Sequence, residues 1–210
     1  MAMLDAIRER WSPTIFSERL ITSEELRELF EAVRWAPSSM NEQPWRLLYA
    51  TRETPDAFER MVSCLVESNA QWARHAPLLV LVAAGTRFSR NERENRHAWH
   101  DAGMATENLL IQASSMGIQG HPMAGFSRSK AVELFGIPDG FETILMIALG
   151  YPGDLEEAPD GVEGRQKEAR ERKPLDETVF SDHWGEPPAF LRAAGDSSAN
   201  DPGSESIETR

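Results

Sequence analysis

Apolar residues recur along this chain at helical and at strand-like spacing, in no regular order. Helical spacing predicts helices over residues 3–10, 56–68, 102–116 and 127–135. A further helix is predicted to begin at the capping box of Thr22 and to end before Pro37. Short apolar runs predict strands over 46–51, 77–85 and 142–149, with a turn or short strand at 121–126. Because regular βαβ alternation is missing, the predicted fold class is α+β.

Two of these segments are apolar on nearly every side. Residues 77–85 (PLLVLVAAG) contain no polar side chain, which predicts a central strand buried on both faces. The helix at 102–116 is apolar or small around most of its circumference, so either the centre of the monomer or a second subunit must cover it.

Polar stretches set the expected limits of the folded domain. The polar run at 88–96 predicts a mobile excursion between two elements. From residue 193 onward the chain lacks large apolar residues except Ile207, which predicts a disordered tail. We therefore expect one domain over residues 1–192 and a tail over 193–210.

Composition narrows the class of protein. The 210 residues are 40% hydrophobic and 27% charged, as in globular domains, and carry a net charge of −12, which argues against nucleic-acid binding. The longest apolar run is too short to span a bilayer, and the charged N-terminus does not resemble a signal peptide. A cytoplasmic protein without nucleic-acid or membrane partners is predicted. The single Cys64 excludes an intramolecular disulfide.

Several familiar catalytic motifs are missing. The sequence contains no glycine-rich phosphate loop of either common type and no G-x-S-x-G nucleophile elbow. His97 and His100 have a spacing that can share a helix face beside Asp101, but no third ligand is evident, so we expect no metal site.

Three polar groups remain as candidates for binding. Arg170 and Arg172, two residues apart, suit a phosphate, although composition alone favours a solvated, salt-bridged face because acidic residues are interleaved. Arg10 and Ser12 could hold phosphate or hydroxyl groups. The neutral turn APSSMNEQPWR (36–46) either binds a polar ligand or satisfies its own backbone.

These signals fall together in one known pattern, because the sequence resembles the nitroreductase family of FMN-dependent oxidoreductases. In order, the motifs are RWSPTIF, RWAPSSMNEQPW, NAQW with APLLVLV, DAGMATENLLIQASSMGIQGHPMAGF, IALGYPGD and RERKPLDE. The resemblance covers nearly all of residues 5–184. It implies an α/β sandwich with a mainly antiparallel sheet surrounded by helices, in an intertwined homodimer with FMN at the subunit interface.

The resemblance also assigns roles to individual residues. Arg10, Trp11, Ser12 and Thr14 match the segment that holds the FMN phosphate and ribityl chain, and Arg170 and Arg172 match the basic phosphate positions. Pro37, Ser38, Ser39 and Asn41 match the segment that reaches FMN from the other subunit. Asn69 matches a contact on the pyrimidine side of the flavin, and the backbone of Pro122, Met123, Ala124 and Gly125 matches the segment along the flavin ring.

Two positions depart from the family pattern, and one region is variable. Thr14 stands where the family usually has Arg or Lys, and Trp11 stands where a basic residue or His is common. Residues 85–100 correspond to the region that shapes the substrate pocket. Trp72 and Trp99 are candidates to line that pocket, and the alternative is that they pack in the core.

The implied activity is reduction of a small electron-poor acceptor, such as a nitroaromatic or quinone. NAD(P)H is the implied co-substrate, in a ping-pong cycle with hydride transfer through flavin N5. No side chain of this protein is then needed as a catalytic acid or base. The alternatives are a dehalogenase, an ene-reductase or a flavin-fragmenting enzyme of the same fold, or a flavin-binding protein without turnover.

Overall fold

Four antiparallel strands form the central sheet, in the order β1–β2–β4–β3. They are Trp45–Thr51 (β1), Leu78–Gly85 (β2), Gln119–Met123 (β3) and Phe141–Gly150 (β4). The computed structural model describes residues 3–159, 161–162 and 170–191. The predicted α+β class with an antiparallel sheet is confirmed.

Six helices belong to the same unit as the sheet. They are Asp5–Glu9 (α1), Ser23–Arg34 (α2), Pro55–Cys64 (α3), Glu67–Ala73 (α4), Ala98–Ser115 (α5) and Arg128–Phe135 (α6). One apolar layer joins α3, α4 and α6 to one face of the sheet, and a second layer joins α2 and α5 to the other face. Helices on both faces explain why β2 is continuously apolar, with every residue from Leu78 to Ala84 at most 1% exposed.

The capping box predicted at the start of α2 is confirmed. The Thr22 side chain accepts a hydrogen bond from the Glu25 backbone N–H, and the Glu25 carboxylate accepts one from the Thr22 N–H. Two backbone donors that a helix start leaves unpaired are thereby satisfied.

The single helix predicted over 56–68 is wrong, because the structure has two helices with an extended break at Leu65 and Val66. Leu65 forms a β-bridge with Phe126, and the Val66 N–H donates to the Gly125 carbonyl oxygen at 3.0 Å. Pairing with a distant segment thus outweighs the local helical pattern. The break matters for the site, because it starts α4 just before Asn69.

Helix α5 begins four residues earlier than predicted. The Asn95 side-chain oxygen accepts the His97 N–H at 3.1 Å, and this local turn precedes the helix start at Ala98. Ala102, Leu109 and Ala113 are buried, whereas Gly103 is exposed and a Cβ added there would meet nothing within 4 Å. One side of α5 is therefore uncovered in the single chain.

The polar excursion at 88–96 folds back as a turn. The Phe88 N–H donates to the Arg93 carbonyl oxygen at 2.8 Å, and Arg87 and Glu94 form a β-bridge. The Ser89 N–H and hydroxyl both donate to the Glu42 carboxylate. The mobility predicted for this segment stays a prediction.

The chain divides into two compact units, residues 1–168 and 169–210, and each is described by itself. The described part of the second unit contains the short 3-10 turns Leu175–Glu177 and Ala189–Leu191. Phe180 and Trp184 contact each other there, with ring centroids 5.1 Å apart. One domain over 1–192 stays a prediction, and the tail predicted at 193–210 lies outside the described residues.

A polar cluster connects the end of β4 to helix α2. The Tyr151 hydroxyl donates to the Glu25 carboxylate, which also pairs with Arg19 at 3.0 Å, and the Arg19 guanidinium lies 3.8 Å from the centre of the Tyr151 ring. The hydrogen bond from Tyr151 is the main cause that lowers the pKa of Glu25. Burial, followed by the bond to Glu25, raises the pKa of Tyr151 to about 12.

We expect Tyr151→Phe to lower the free energy of unfolding by about 1 kcal/mol at pH 7, because it removes a hydrogen bond to a charged group. Because the pKa of Glu25 is lower in the folded protein than its ordinary value of 4.5, the stabilisation is fully present above pH 4.5. It is lost as the pH falls through the pKa that Glu25 has in the folded protein. Denaturant unfolding from pH 7 into acid checks this, and the difference between wild type and variant should shrink. Tyr49→Phe is the matched control, since no described residue hydrogen-bonds the Tyr49 hydroxyl; equal losses in both variants would contradict the assignment.

Candidate functional site

A cavity of about 450 Å³ lies beside the β3 edge of the sheet. Its volume is within the range of small-molecule and cofactor sites, roughly 300–1,000 Å³. Two residues that the sequence assigned to a flavin site, Thr14 and Asn69, line it. The full lining is Thr14, Ser68, Asn69, Gln71, Trp72, His121, Gly161 and Val162.

Side chains of β3 hold the N-terminal segment against this cavity. The Trp11 N–H donates to the Gln119 side-chain oxygen at 2.9 Å, and His121 Nδ1 lies 2.9 Å from the Pro13 carbonyl oxygen. Gln119 and His121 are two apart on a strand and therefore share a face. The two contacts fix the backbone on either side of Ser12, whose hydroxyl accepts from Arg10 Nη1 at 3.3 Å.

Aromatic stacking builds the wall of the cavity. The Trp72 indole stacks on the His121 ring, with centroids 4.5 Å apart and an angle of 29° between the planes, and it also lies against Phe16. Trp72 is 8% exposed, so its broad apolar face shields one side of the cavity from water. Trp99 is not among the cavity's lining residues; its indole N–H donates to the Glu142 carboxylate.

Asn69 and Gly125 contact each other closely beside the cavity. The Asn69 side-chain nitrogen donates to the Gly125 carbonyl oxygen at 3.0 Å. A Cβ added to Gly125 would lie 2.8 Å from Asn69 Nδ2 and 2.9 Å from Val66 Cγ2, so a larger residue there must displace these side chains. This contact joins α4 to the segment that follows β3. Of the other residues predicted to lie along the flavin ring, Pro122 and Met123 belong to β3, and Ala124 comes after it and is exposed.

The turn after α2 has an uncommon backbone. Met40, Asn41 and Gln43 all have positive φ angles, between 51° and 57°, although none of them is glycine. Such conformations persist only where the surroundings hold them. Here the Ser38 hydroxyl accepts the Gln43 N–H at 2.9 Å, and the buried Asp101 carboxylate accepts the Ser39 N–H at 3.0 Å.

This turn and the cavity are far apart within one chain. Strand pairing places His121 opposite Ala148, Ala148 opposite Leu79, and Leu79 opposite Ala50. His121 thus lies three strand spacings from β1, about 14 Å across the sheet, and level with Ala50. Ala50 in turn lies about 17 Å along β1 from Trp45, where the turn ends. The turn therefore lies roughly 20 Å from the cavity.

The structure therefore brings together some predicted site residues and leaves others apart. Thr14 and Asn69 line the cavity, and Gly125 contacts Asn69 beside it. Pro37, Ser38, Ser39 and Asn41 do not reach the cavity of their own chain.

Arg170 and Arg172 belong to the second unit, and their assignment to a phosphate stays a prediction. Within the described residues, no three His, Cys, Asp or Glu side chains are grouped so as to hold a metal ion. None of the helices in that part of the chain combines the length and the apolar character of a membrane span.

Gln119, His121 and Asp101 were missed by the sequence reasoning as positions that shape the site. The alternation of a strand over 119–123 was a usable signal for Gln119 and His121, because it places both on one face. Asp101 was considered only as a neighbour of metal-ligand candidates. Nothing in the sequence indicated that its carboxylate binds the backbone of Ser39.

The comparisons with known proteins agree with this architecture. A model of the nitroreductase family matches residues 7–151. An uncharacterised 15.4 kDa protein of Mycolicibacterium smegmatis is 36% identical over 132 residues, which cover 63% of this chain and 87% of that protein. An Archaeoglobus fulgidus protein with the provisional name NADH dehydrogenase/NAD(P)H nitroreductase is 28% identical over 156 residues, covering 72% of this chain and 86% of its own.

A solved structure shows the same fold. A crystal structure described as an oxidoreductase containing FMN superposes with a TM-score of 0.78 at 30% identity, covering 88% of this chain and 93% of that chain. The class is thus that of α+β proteins with the nitroreductase fold. The chain belongs to the nitroreductase family.

Proposed function

We propose that this protein is an FMN-dependent oxidoreductase that uses NAD(P)H to reduce a small electron-poor acceptor, such as a nitroaromatic or a quinone. The observation that carries the proposal is that two predicted flavin-contact residues from separate parts of the chain, Thr14 and Asn69, line one cavity. A third predicted contact, Gly125, accepts the hydrogen bond of the Asn69 amide beside it. The FMN-containing relative and the name of the Archaeoglobus relative support the cofactor and the co-substrate.

The volume and the neutral polar groups of the cavity suit a flavin ring. Gly125 lets the backbone after β3 pack closely against Asn69 and Val66 beside the cavity. The Asn69 amide nitrogen is engaged by Gly125, and its amide oxygen, which no described residue hydrogen-bonds, can accept from a ring N–H. Thr14 adds a hydroxyl at the same wall.

Bound there, FMN supplies the hydride chemistry at its N5 atom, and the protein supplies binding and orientation. Gln119 and His121 hold the 10–14 segment in place, so that the Ser12 hydroxyl and the Arg10 guanidinium keep a fixed geometry. Trp72 excludes water from one side of the cavity. No acid or base of the protein is required, which agrees with a cavity lined mainly by neutral groups.

A homodimer is part of the proposal. The turn with Ser38, Ser39 and Asn41 lies roughly 20 Å from the cavity of its own chain, so it can contact a flavin only in another copy. The exposed side of α5 around Gly103, where an added Cβ would meet nothing within 4 Å, provides a surface that a second copy can cover. The two features together favour an arrangement in which each chain completes the cofactor site of the other.

Anaerobic reduction tests this function. We expect NADH or NADPH to bleach the visible absorption of the FMN-loaded protein, and a quinone or nitroaromatic to restore it, because the acceptor takes the electrons back. Bound FMN that neither nicotinamide bleaches would contradict the proposal and favour a flavin-binding protein without turnover. Consumption of the flavin itself during the reaction would instead identify flavin fragmentation.

A further inference from the structure

We propose that Asp101 is the positioning residue for the turn at 38–43, and that it fixes the turn so that Ser39 and Asn41 face a ligand. This inference rests on the proposed function, because it takes the ligand to be FMN bound mainly by a second copy of the chain.

The first line of evidence is the environment of Asp101 itself. Asp101 lies in the first turn of α5 and is only 2% exposed. A buried carboxylate is costly unless its oxygens are paired, and here both are. One oxygen accepts the Ser39 N–H at 3.0 Å, and the other lies 3.2 Å from Nδ1 of the exposed His100.

The second line of evidence is the backbone of the turn. Its left-handed residues Met40, Asn41 and Gln43 need external support to keep their conformation. Bonds within the turn, from the N–H of Asn41 to the Ser38 carbonyl and of Glu42 to the Ser39 carbonyl, set its shape but do not attach it to the fold. Two contacts do so: Asp101 holds the turn from the buried side, and Ser89 binds the Glu42 carboxylate on the exposed side.

The third line of evidence is which groups of the turn stay available. Asp101 binds the backbone of Ser39, not its hydroxyl. Among the residues that the structure describes, neither the Ser39 hydroxyl nor the Asn41 side-chain amide makes a hydrogen bond. Donors and acceptors on a fixed backbone, with no protein partner, are what a polar ligand requires. The anchor therefore presents these groups and does not consume them.

Three variants of the full-length chain test the proposal, with FMN affinity and amide hydrogen exchange as separate readouts. Asp101→Ala removes the acceptor, and Asp101→Asn keeps one acceptor oxygen for the Ser39 N–H. His100→Ala is the matched control, because it removes the exposed partner of the same carboxylate and leaves the bond to Ser39.

We expect Asp101→Ala to speed hydrogen exchange in residues 38–43 and to weaken FMN binding, each by about tenfold or more. Asp101→Asn should restore both values to within about threefold of wild type, and His100→Ala should stay in the same range. Rescue by the asparagine separates the anchor from a general loss of stability.

Two results would overturn the proposal. Unchanged exchange at 38–43 in Asp101→Ala would remove the anchor. Faster exchange with unchanged FMN affinity would show that the fixed turn does not serve the cofactor. If Asp101→Ala does not fold, Asp101→Asn decides alone. Slow exchange at 38–43 and an FMN affinity near that of the wild type support Asp101 as the anchor of the turn, and fast exchange with weak FMN binding contradicts it. A wild-type chain that binds no FMN would overturn the proposed function, while exchange at 38–43 would still decide the anchor.

Discussion

Replacing Gly150 by alanine is expected to lower the free energy of unfolding by about 3 kcal/mol, the upper end of the cost of overpacking a core. Gly150 is the last residue of β4, and a Cβ there would lie 2.5 Å from Pro77 Cδ and 2.8 Å from Phe16 Cδ1. The proline ring cannot rotate away, and Phe16 is itself buried against Trp72. Thermal unfolding should show a drop of the melting temperature by roughly 10 °C.

Gly85→Ala is the matched control for this change. Gly85 also ends a strand, but its added Cβ would be 3.4 Å from the Phe141 ring, an ordinary van der Waals contact. We expect this variant to change the free energy of unfolding by less than about 1 kcal/mol. Equal melting temperatures for the two variants would show that close packing at Gly150 is not what requires glycine there.

Gly125→Ala is expected to weaken FMN binding by about 10- to 30-fold, which corresponds to roughly 1.4–2 kcal/mol. The added Cβ would displace the Asn69 side chain, whose nitrogen lies 2.8 Å from that position, and would break its hydrogen bond to the Gly125 carbonyl. Asn69 then no longer presents its amide oxygen to the ligand in a fixed orientation. Titration of the protein with FMN, followed by flavin fluorescence, measures the change.

A double-mutant cycle sharpens this prediction. If Gly125→Ala acts by displacing Asn69, then Asn69→Ala alone should weaken binding to a similar extent, and the double variant should lose little more. Gly85→Ala, outside the cavity lining, should bind FMN as the wild type does. Full additivity of the two single losses would mean that Gly125 acts through another contact.

The sequence predicted the elements whose pattern is local. The apolar run at 77–85 required burial on both faces, and β2 has it. The capping box at Thr22 and the cap at Ser127, whose hydroxyl accepts the Lys130 N–H, need only neighbouring residues, and both are present. The predicted strands 46–51, 77–85 and 142–149 differ from β1, β2 and β4 by one residue at one or both ends, whereas the turn or short strand predicted at 121–126 is observed as β3 over 119–123.

Features that depend on distant contacts were not predictable in this way. The break at Leu65 and Val66 arises because those residues pair with Gly125 and Phe126, about 60 positions away in the chain. The left-handed turn at 40–43 contains no glycine, so its backbone gave no local signal, and it depends in part on the carboxylate of Asp101.

The candidate site shows the same division. The motifs predicted which segments contact the ligand, and the structure places two of the predicted residues, Thr14 and Asn69, in the lining of one cavity with Gly125 in contact with Asn69. The side chains that hold those segments, Gln119 and His121, act on backbone groups 108 positions away. A side chain that hydrogen-bonds to a distant backbone atom produces no sequence motif, because every residue has that backbone atom. Such positions are therefore identified only from the three-dimensional structure.

Direct titration of the full-length chain with FMN tests the central claim. The account predicts saturable binding, with about one FMN per chain and a change in flavin fluorescence, because the cavity beside β3 encloses the ring. Binding should be lost when the chain is held as a monomer, since the turn at 38–43 then has no second cavity to serve. A chain that binds no FMN at any concentration, or binds it equally well as a monomer, would contradict the account.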